Sequence, residues 1–282
     1  MIIDAHLHFS KIKKFTHTAK TVSKVSYSLA GLAAEMKQNR VVAAVGMGLQ
    51  ETKAALFPDK TIPTPMLLDL DENPKSLYAC PGINPYKLNK KSLSSLELLL
   101  KNPKTVGIKL YSGYYHFHLF DKVYGPVYEL AAKYKMPIVS HGGGTYSHLG
   151  LYRYSHPLDV EEAAYQFPKI NFIIAHLGNP WIYETAELVY MKPNIFADLS
   201  GLIVADSKGV KETASEKVFT ERYRSAVITC GAYEKLLYGS DWPLAPMKAY
   251  IAFIEKLIPE KHKHKVFYKN ALNVFPRLKI QS

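Results

Sequence analysis

The 282-residue chain is 48% hydrophobic with a mean hydropathy of −0.10, enough for one large core, and it lacks the run of about 18 apolar residues that a membrane span needs. Its 36 Lys and Arg against 24 Asp and Glu give a formal charge of +12. The basic residues are scattered apart from Lys11/Lys13/Lys14 and 261–265, without interleaved aromatics, so they read as solvated surface rather than as a nucleic-acid groove.

In chain order, an apolar β-branched run at 2–8 predicts the first strand, followed by a helix at 28–38 with apolar spacing of about 3.6 residues. A strand at 40–45 leads into 57–73, where Pro58, Pro63 and Pro65 resist assignment and suggest a loop. A strand at 77–83 precedes a helix at 87–100, which Asn102-Pro103 terminates. The alternation continues with strand 105–111, helix 124–134, strand 136–141, helix 158–167, strand 170–176 and helix 181–190. Strand 194–199, helix 215–230, strand 235–238 and helices at 246–257 and 261–274 complete it. Eight strands alternating with helices imply right-handed βαβ units and a parallel sheet, which fits one (β/α)8 TIM barrel over residues 1–282. Two further long loops, 142–156 and 200–213, follow the fifth and seventh strands on the C-terminal face, where barrel enzymes build their sites.

Cys80 and Cys230 are too few for a disulfide framework and have no partner at metal-binding spacing. The opening Met-Ile-Ile-Asp-Ala-His does not read as a signal peptide. Both features point to a cytoplasmic protein.

The chemistry-bearing residues recur at strand ends. His6 and His8 are two apart, so on a strand both imidazoles point one way. His141 ends the fifth strand, His176 ends the sixth, and Asp241 follows the eighth, adjacent to the first in a closed barrel. Each alone has an ordinary explanation, Asp241 as a helix N-cap for example. Their shared position is harder to explain without a common ligand, and three or more His/Asp side chains with one position left open suit a catalytic divalent metal.

With these motifs in view, the chain resembles the amidohydrolase superfamily, in particular the branch containing aminocarboxymuconate-semialdehyde decarboxylase and pyrone-dicarboxylate lactonase. The matching pieces are Asp4-Ala-His-Leu-His, Gly107-Ile-Lys-Leu-Tyr, His141, Ala175-His-Leu-Gly-Asn-Pro-Trp and Tyr238-Gly-Ser-Asp-Trp-Pro. The resemblance implies one metal, zinc or else manganese, on His6, His8, His141 and Asp241. Such a metal lowers the pKa of its water toward about 7 and polarises a substrate oxygen. Asp241 would then act as general base, and His176 would orient water or substrate.

Lys109 stands where binuclear members carry a carbamylated lysine that bridges a second metal; its ammonium could instead hold a substrate carboxylate. Asp4 is expected on the His6 face as a structural carboxylate. Asp198 either supports the site from behind or caps its strand. Tyr111 and the other loop tyrosines suit a flat or partly apolar ligand, and Arg153 could pair with a substrate anion.

The expected activity is metal-dependent hydrolysis of an amide, ester or lactone of a small, anionic substrate, without nucleic-acid or membrane partners and with a homodimer allowed. Non-oxidative decarboxylation of an unsaturated or aromatic acid is the alternative on the same scaffold. A nuclease resembling the TatD family is disfavoured by Lys109, where that family has glutamate. A barrel that only binds a ligand is disfavoured by the intact ligand set.

Overall fold

The computed structural model describes residues 1–10, 12–51, 58–68 and 74–280. Lys11 of the first basic cluster, and 57 and 69–73 of the unassigned proline-rich segment, lie outside the described residues.

Nine strands are present among the described residues: β1 (Ile2–Leu7), β2 (Val41–Met47), β3 (Leu77–Cys80), β4 (Gly82–Ile83), β5 (Ile108–Leu110), β6 (Ile138–Ser140), β7 (Phe172–Ile174), β8 (Ile195–Asp198) and β9 (Leu236–Leu237). Every neighbouring pair is parallel, in the orders β1-β2-β3 and β4 to β9. The expected third strand is broken at Pro81, which has no N–H for the ladder. Its two halves stay in line, because Lys109 N donates to Pro81 O at 2.9 Å and Val106 N to Ala79 O at 3.0 Å. Closure is made between β9 and β1, where Ala5 N donates to Tyr238 O (2.9 Å) and Asp241 N to His6 O (2.8 Å). The result is an eight-position parallel TIM barrel.

Outside the strands lie α1 (Lys13–Thr18), α2 (Leu29–Gln38), α3 (Lys90–Leu100), α4 (Gly125–Tyr134), α5 (Pro157–Gln166), α6 (Ile182–Met191), α7 (Ser207–Thr213), α8 (Lys217–Cys230), α9 (Met247–Leu257), α10 (Glu260–His264) and α11 (Asn270–Val274). The predicted helix at 87–100 starts later, at Lys90, because Asn89 and Ser92 form a reciprocal capping box. The expected loop 200–213 contains α7, started by Asp206 accepting from Gly209 N. The single helix expected at 261–274 is interrupted by a π turn at Lys265–Lys269. No helix among the described residues is long and apolar enough to cross a membrane.

Strand alternation separates two cores. On β5 to β8, Ile108, Leu110, Ile138, Phe172, Ile174, Ile195 and Ala197 face the helices. Val139 and Ile173 join Ile3, Ala5, Val45 and Leu237 in the barrel interior, which Val274 and Phe275 close from below. In β1 this alternation breaks: the register shifts between Asp4 and Leu7, the sign of a bulge. Ile3 and Ala5 face inward, His6 turns inward directly after Ala5, and Leu7 packs outside. Asp4 is therefore out of step with His6, contrary to the simple period of two.

Candidate metal centre

His6 and His8 come from the end of β1, His141 follows β6, His176 follows β7, Asp198 ends β8 and Asp241 lies just past β9. His6, His8 and Asp241 converge. His6 Nε2 lies 3.6 Å and His8 Nε2 3.3 Å from Asp241 Oδ1. His6 Nε2, His8 Nδ1 and Asp241 Oδ1 are buried without a hydrogen-bond partner. A tetrahedral cation with bonds of about 2.0–2.1 Å has donor–donor edges of about 3.3 Å, close to these separations. The buried His/Asp cluster can thus hold a metal ion.

Hydrogen bonding fixes the tautomers around it. His6 Nδ1 is 2.8 Å from Asp198 Oδ2; with that carboxylate ionised, Nδ1 carries the proton and Nε2 keeps its lone pair toward Asp241, an arrangement typical of metal-bound histidines. His141 Nε2 donates to Gly144 O at 3.1 Å, leaving Nδ1 as its free donor atom. His176 Nδ1 donates to Ser200 O at 3.1 Å. Among the described residues, the His/Cys/Asp/Glu groups whose donor atoms all lie within 4.8 Å of one another are His6/His8/Asp241 and His6/His176/Asp198. His141 belongs to neither, although its ring centroid is 4.8 Å from that of His176. The second group reads as a hydrogen-bonded relay, because the His6–Asp198 contact is already a short hydrogen bond.

Electrostatics favour ligation. Burial, then Lys109, pushes the His6 imidazole down to about 4, and burial also lowers His8 and His141. Neutral imidazoles are the form that binds metal. Burial alone would raise the Asp241 carboxyl, but the His176, His8 and His6 imidazoles around it outweigh burial and keep it ionised. Asp198 is held low against burial in the same way, by His6, His176 and the Ser200 hydroxyl. Asp4 behaves oppositely: burial pushes it up to about 7 although it accepts from His6 N and Ser240 N.

Above the cluster opens a cavity of about 250 Å³, lined by His8, Lys109, Tyr111, Tyr114, His141, His176 and Asp241, with Phe15, Leu49, Tyr146 and Leu244 among its walls. Lys109 is buried, has no hydrogen-bond partner, and lies 5.4 Å over the Tyr111 ring. Burial lowers its ammonium to about 8. Tyr111 spends its hydroxyl on Gly48 O at 2.8 Å. Arg153, expected to reach a substrate anion, is exposed, sits over the Tyr154 ring at 5.0 Å and does not line this cavity. It projects from a 3₁₀ turn in the 142–156 loop, and sequence gives no direction for such a side chain.

Three contributors were not singled out in the sequence. Ser200 bonds both His176 and Asp198. Gly201 sits at φ +65°, where an added Cβ would meet His176 Nδ1 at 2.6 Å and Asp241 Oδ2 at 2.7 Å. Phe15 of the unpredicted α1 packs on His8 with ring centroids 4.6 Å apart. The readable signal for the first two was the run Asp198-Leu-Ser-Gly at a strand end.

The family model described as Amidohydrolase matches residues 3–277. No curated protein matches. Among solved structures, an uncharacterised TIM-barrel protein of Bordetella bronchiseptica is similar at TM-score 0.71 and 17% identity, covering 98% of this chain and 99% of that one. A 5-carboxyvanillate decarboxylase of Sphingomonas paucimobilis is similar at TM-score 0.62 and 15% identity, with 98% of each chain covered. A probable 2-pyrone-4,6-dicarboxylic acid hydrolase of Acinetobacter baumannii is similar at TM-score 0.65 and 13% identity, covering 98% and 99%.

Proposed function

The chain belongs to the amidohydrolase family, and from that premise we propose that it is a single-domain, metal-dependent hydrolase. Its substrate would be the amide, ester or lactone of a small molecule. The observation that carries this reading is the convergence of His6 Nε2, His8 Nε2 and Asp241 Oδ1 at 3.3–3.6 Å, with two of these three atoms buried and unpartnered. His6, His8 and Asp241 would hold one divalent ion, with His141 reaching it through Nδ1; zinc suits this nitrogen-and-oxygen set, with manganese second. When bound, the metal supplies Lewis-acid polarisation of a substrate oxygen.

The chain's own residues do the rest. Asp198 fixes the His6 tautomer and ring direction through Nδ1. Asp241 divides its oxygens: Oδ1 faces the ligand histidines, and Oδ2, 3.9 Å from His176 Nδ1, takes the proton from an attacking water as general base. His176, held through Nδ1 by Ser200 O, orients water or the substrate. Decarboxylation of an aromatic or unsaturated acid is the second reading, favoured by the similarity to decarboxylases over 98% of the chain; release of carbon dioxide without a hydrolytic product would select it.

The test is elemental analysis of wild type, His6→Ala and Asp241→Ala. About one zinc or manganese per chain, lost in both variants, is expected. No metal after supplementation would sink the ligand assignments.

A further inference from the structure

Among the described residues, Lys109 is the one charged group in the barrel lumen that the proposed metal site leaves unused. Strand alternation commits it inward, since Ile108 and Leu110 on either side face the helices. Its side chain is 1% exposed, its Nζ has no hydrogen-bond partner, and it lines the same cavity as His8, His176 and Asp241. A buried ammonium without a partner is strongly unfavourable, so such a group normally faces something that supplies the opposite charge.

The protein does not supply it by contact. Asp198 accepts from His6 Nδ1, His176 N and Ser200 N, and Asp241 Oδ1 is directed at His6 and His8. The missing group is then an anion. The walls above the charges are apolar and aromatic: Phe15, Leu49, Tyr111, Tyr114, Tyr146 and Leu244. At about 250 Å³ the cavity falls below the range of about 300–1,000 Å³ that drug-sized ligands occupy.

We propose that Lys109 is the anchor for a carboxylate on the substrate, a compact acid of about one ring whose apolar body rests on the tyrosines while its reacting group faces His6, His8 and Asp241. This inference rests on the metal-dependent reading above for the reacting end, but not for the anchor itself.

Benzoate and benzamide share a shape and differ in charge. Both are titrated by calorimetry into zinc-loaded wild type, Lys109→Met and Lys109→Gln, and metal content is measured on the same samples. The expected result is that wild type prefers benzoate. Both variants keep their metal and bind benzoate about ten- to a hundredfold more weakly, the size of a lost hydrogen bond to a charged group, with benzamide little changed. Equal benzoate affinity in wild type and either folded variant overturns the proposal. So does a wild type with two metal ions of which the variants lose one, because Lys109 is then a metal-bridging carbamate. A wild type that holds no metal yet loses benzoate selectivity on Lys109 substitution would sink the metal reading and leave the anchor standing.

Discussion

Replacing Asp198 by asparagine isolates the tautomer argument from the ligands themselves. Asp198 Oδ1 accepts from His176 N and Ser200 N, each at 3.0 Å, and from Ser200 Oγ, while Oδ2 faces His6 Nδ1 at 2.8 Å. In Asp198→Asn the amide oxygen must stay at the Oδ1 position, where three donors converge. The NH₂ then falls opposite His6 Nδ1–H, and two donors cannot share that contact. His6 responds by moving its proton to Nε2, the atom aimed at Asp241 Oδ1, and its metal-facing lone pair is lost. Loss of such a partner behind a metal ligand costs about 10–100-fold in affinity, or about 1.4–2.8 kcal/mol. Three of the four hydrogen bonds survive, so the metal-free protein should melt close to wild type. The assay is chelator competition for zinc, with melting of both proteins in EDTA. Zinc affinity within threefold of wild type, in a variant that melts normally, would refute the idea that Asp198 sets the His6 tautomer.

Gly201→Ala puts a Cβ 2.6 Å from His176 Nδ1 and 2.7 Å from Asp241 Oδ2 at φ +65°; a left-handed non-glycine residue costs about 1–2 kcal/mol, so melting should drop by a few degrees and zinc binding weaken, and an unchanged zinc affinity would count against this contact. Asp4 has a folded pKa of about 7 against an ordinary 3.8, so the folded state holds the proton more tightly and its contribution to stability, complete below about pH 4, is lost as pH rises through 7. Asp4→Asn should therefore match wild type in denaturant titrations near pH 4 and exceed it above pH 7; a constant gap across that window would contradict the assignment. Asn89→Ala removes the capping box of α3 and should cost about 1 kcal/mol without altering zinc affinity, a control for variants that act only through stability.

The alternation of short β-branched runs with helices was readable because barrel strands are buried on both faces and helices on one. The strand-end histidines were readable for a related reason: a polar residue directly after a buried run has to open onto the mouth. What was not readable is geometric. The bulge in β1 puts Asp4 out of step with His6 and leaves no mark on the sequence pattern Ile-Ile-Asp-Ala-His-Leu-His. The break at Pro81 turned one expected strand into two because a single missing N–H ends a ladder. Arg153 was misplaced because a loop side chain takes its direction from a turn, and α1 was missed because six residues give too little periodicity to read. Asp198 was legible as a residue but ambiguous in role; only the position of its two oxygens shows that it holds His6, His176 and Ser200 together.

Around the barrel wall the charged groups occupy one arc. Lys109 lies on β5, His141 follows β6, His176 follows β7, Asp198 ends β8, Asp241 follows β9 and the His6/His8 pair ends β1, so these strands are consecutive neighbours once β9 bonds to β1. Of the residues lining the cavity, those following β2, β3 and β4 amount to Leu49 alone. Two turns in the charged arc run through left-handed backbone at non-glycine residues: His176 and Leu177 at φ 58° and 49°, and Asp241 at φ 56°. Each such residue costs about 1–2 kcal/mol, although histidine and aspartate bear that region better than most. The strain is held by bonds that also build the site, His176 N to Asp198 and Asp241 N to His6 O. A strand continuing in extended form would carry the next side chain past the lumen, whereas the left-handed turn folds His176 and Asp241 back over it. The polar arc is thereby suited to hold charge and move protons, and the loops that leave the same strands supply most of the apolar wall above it, with Phe15, Tyr111, Tyr114, Tyr146 and Leu244.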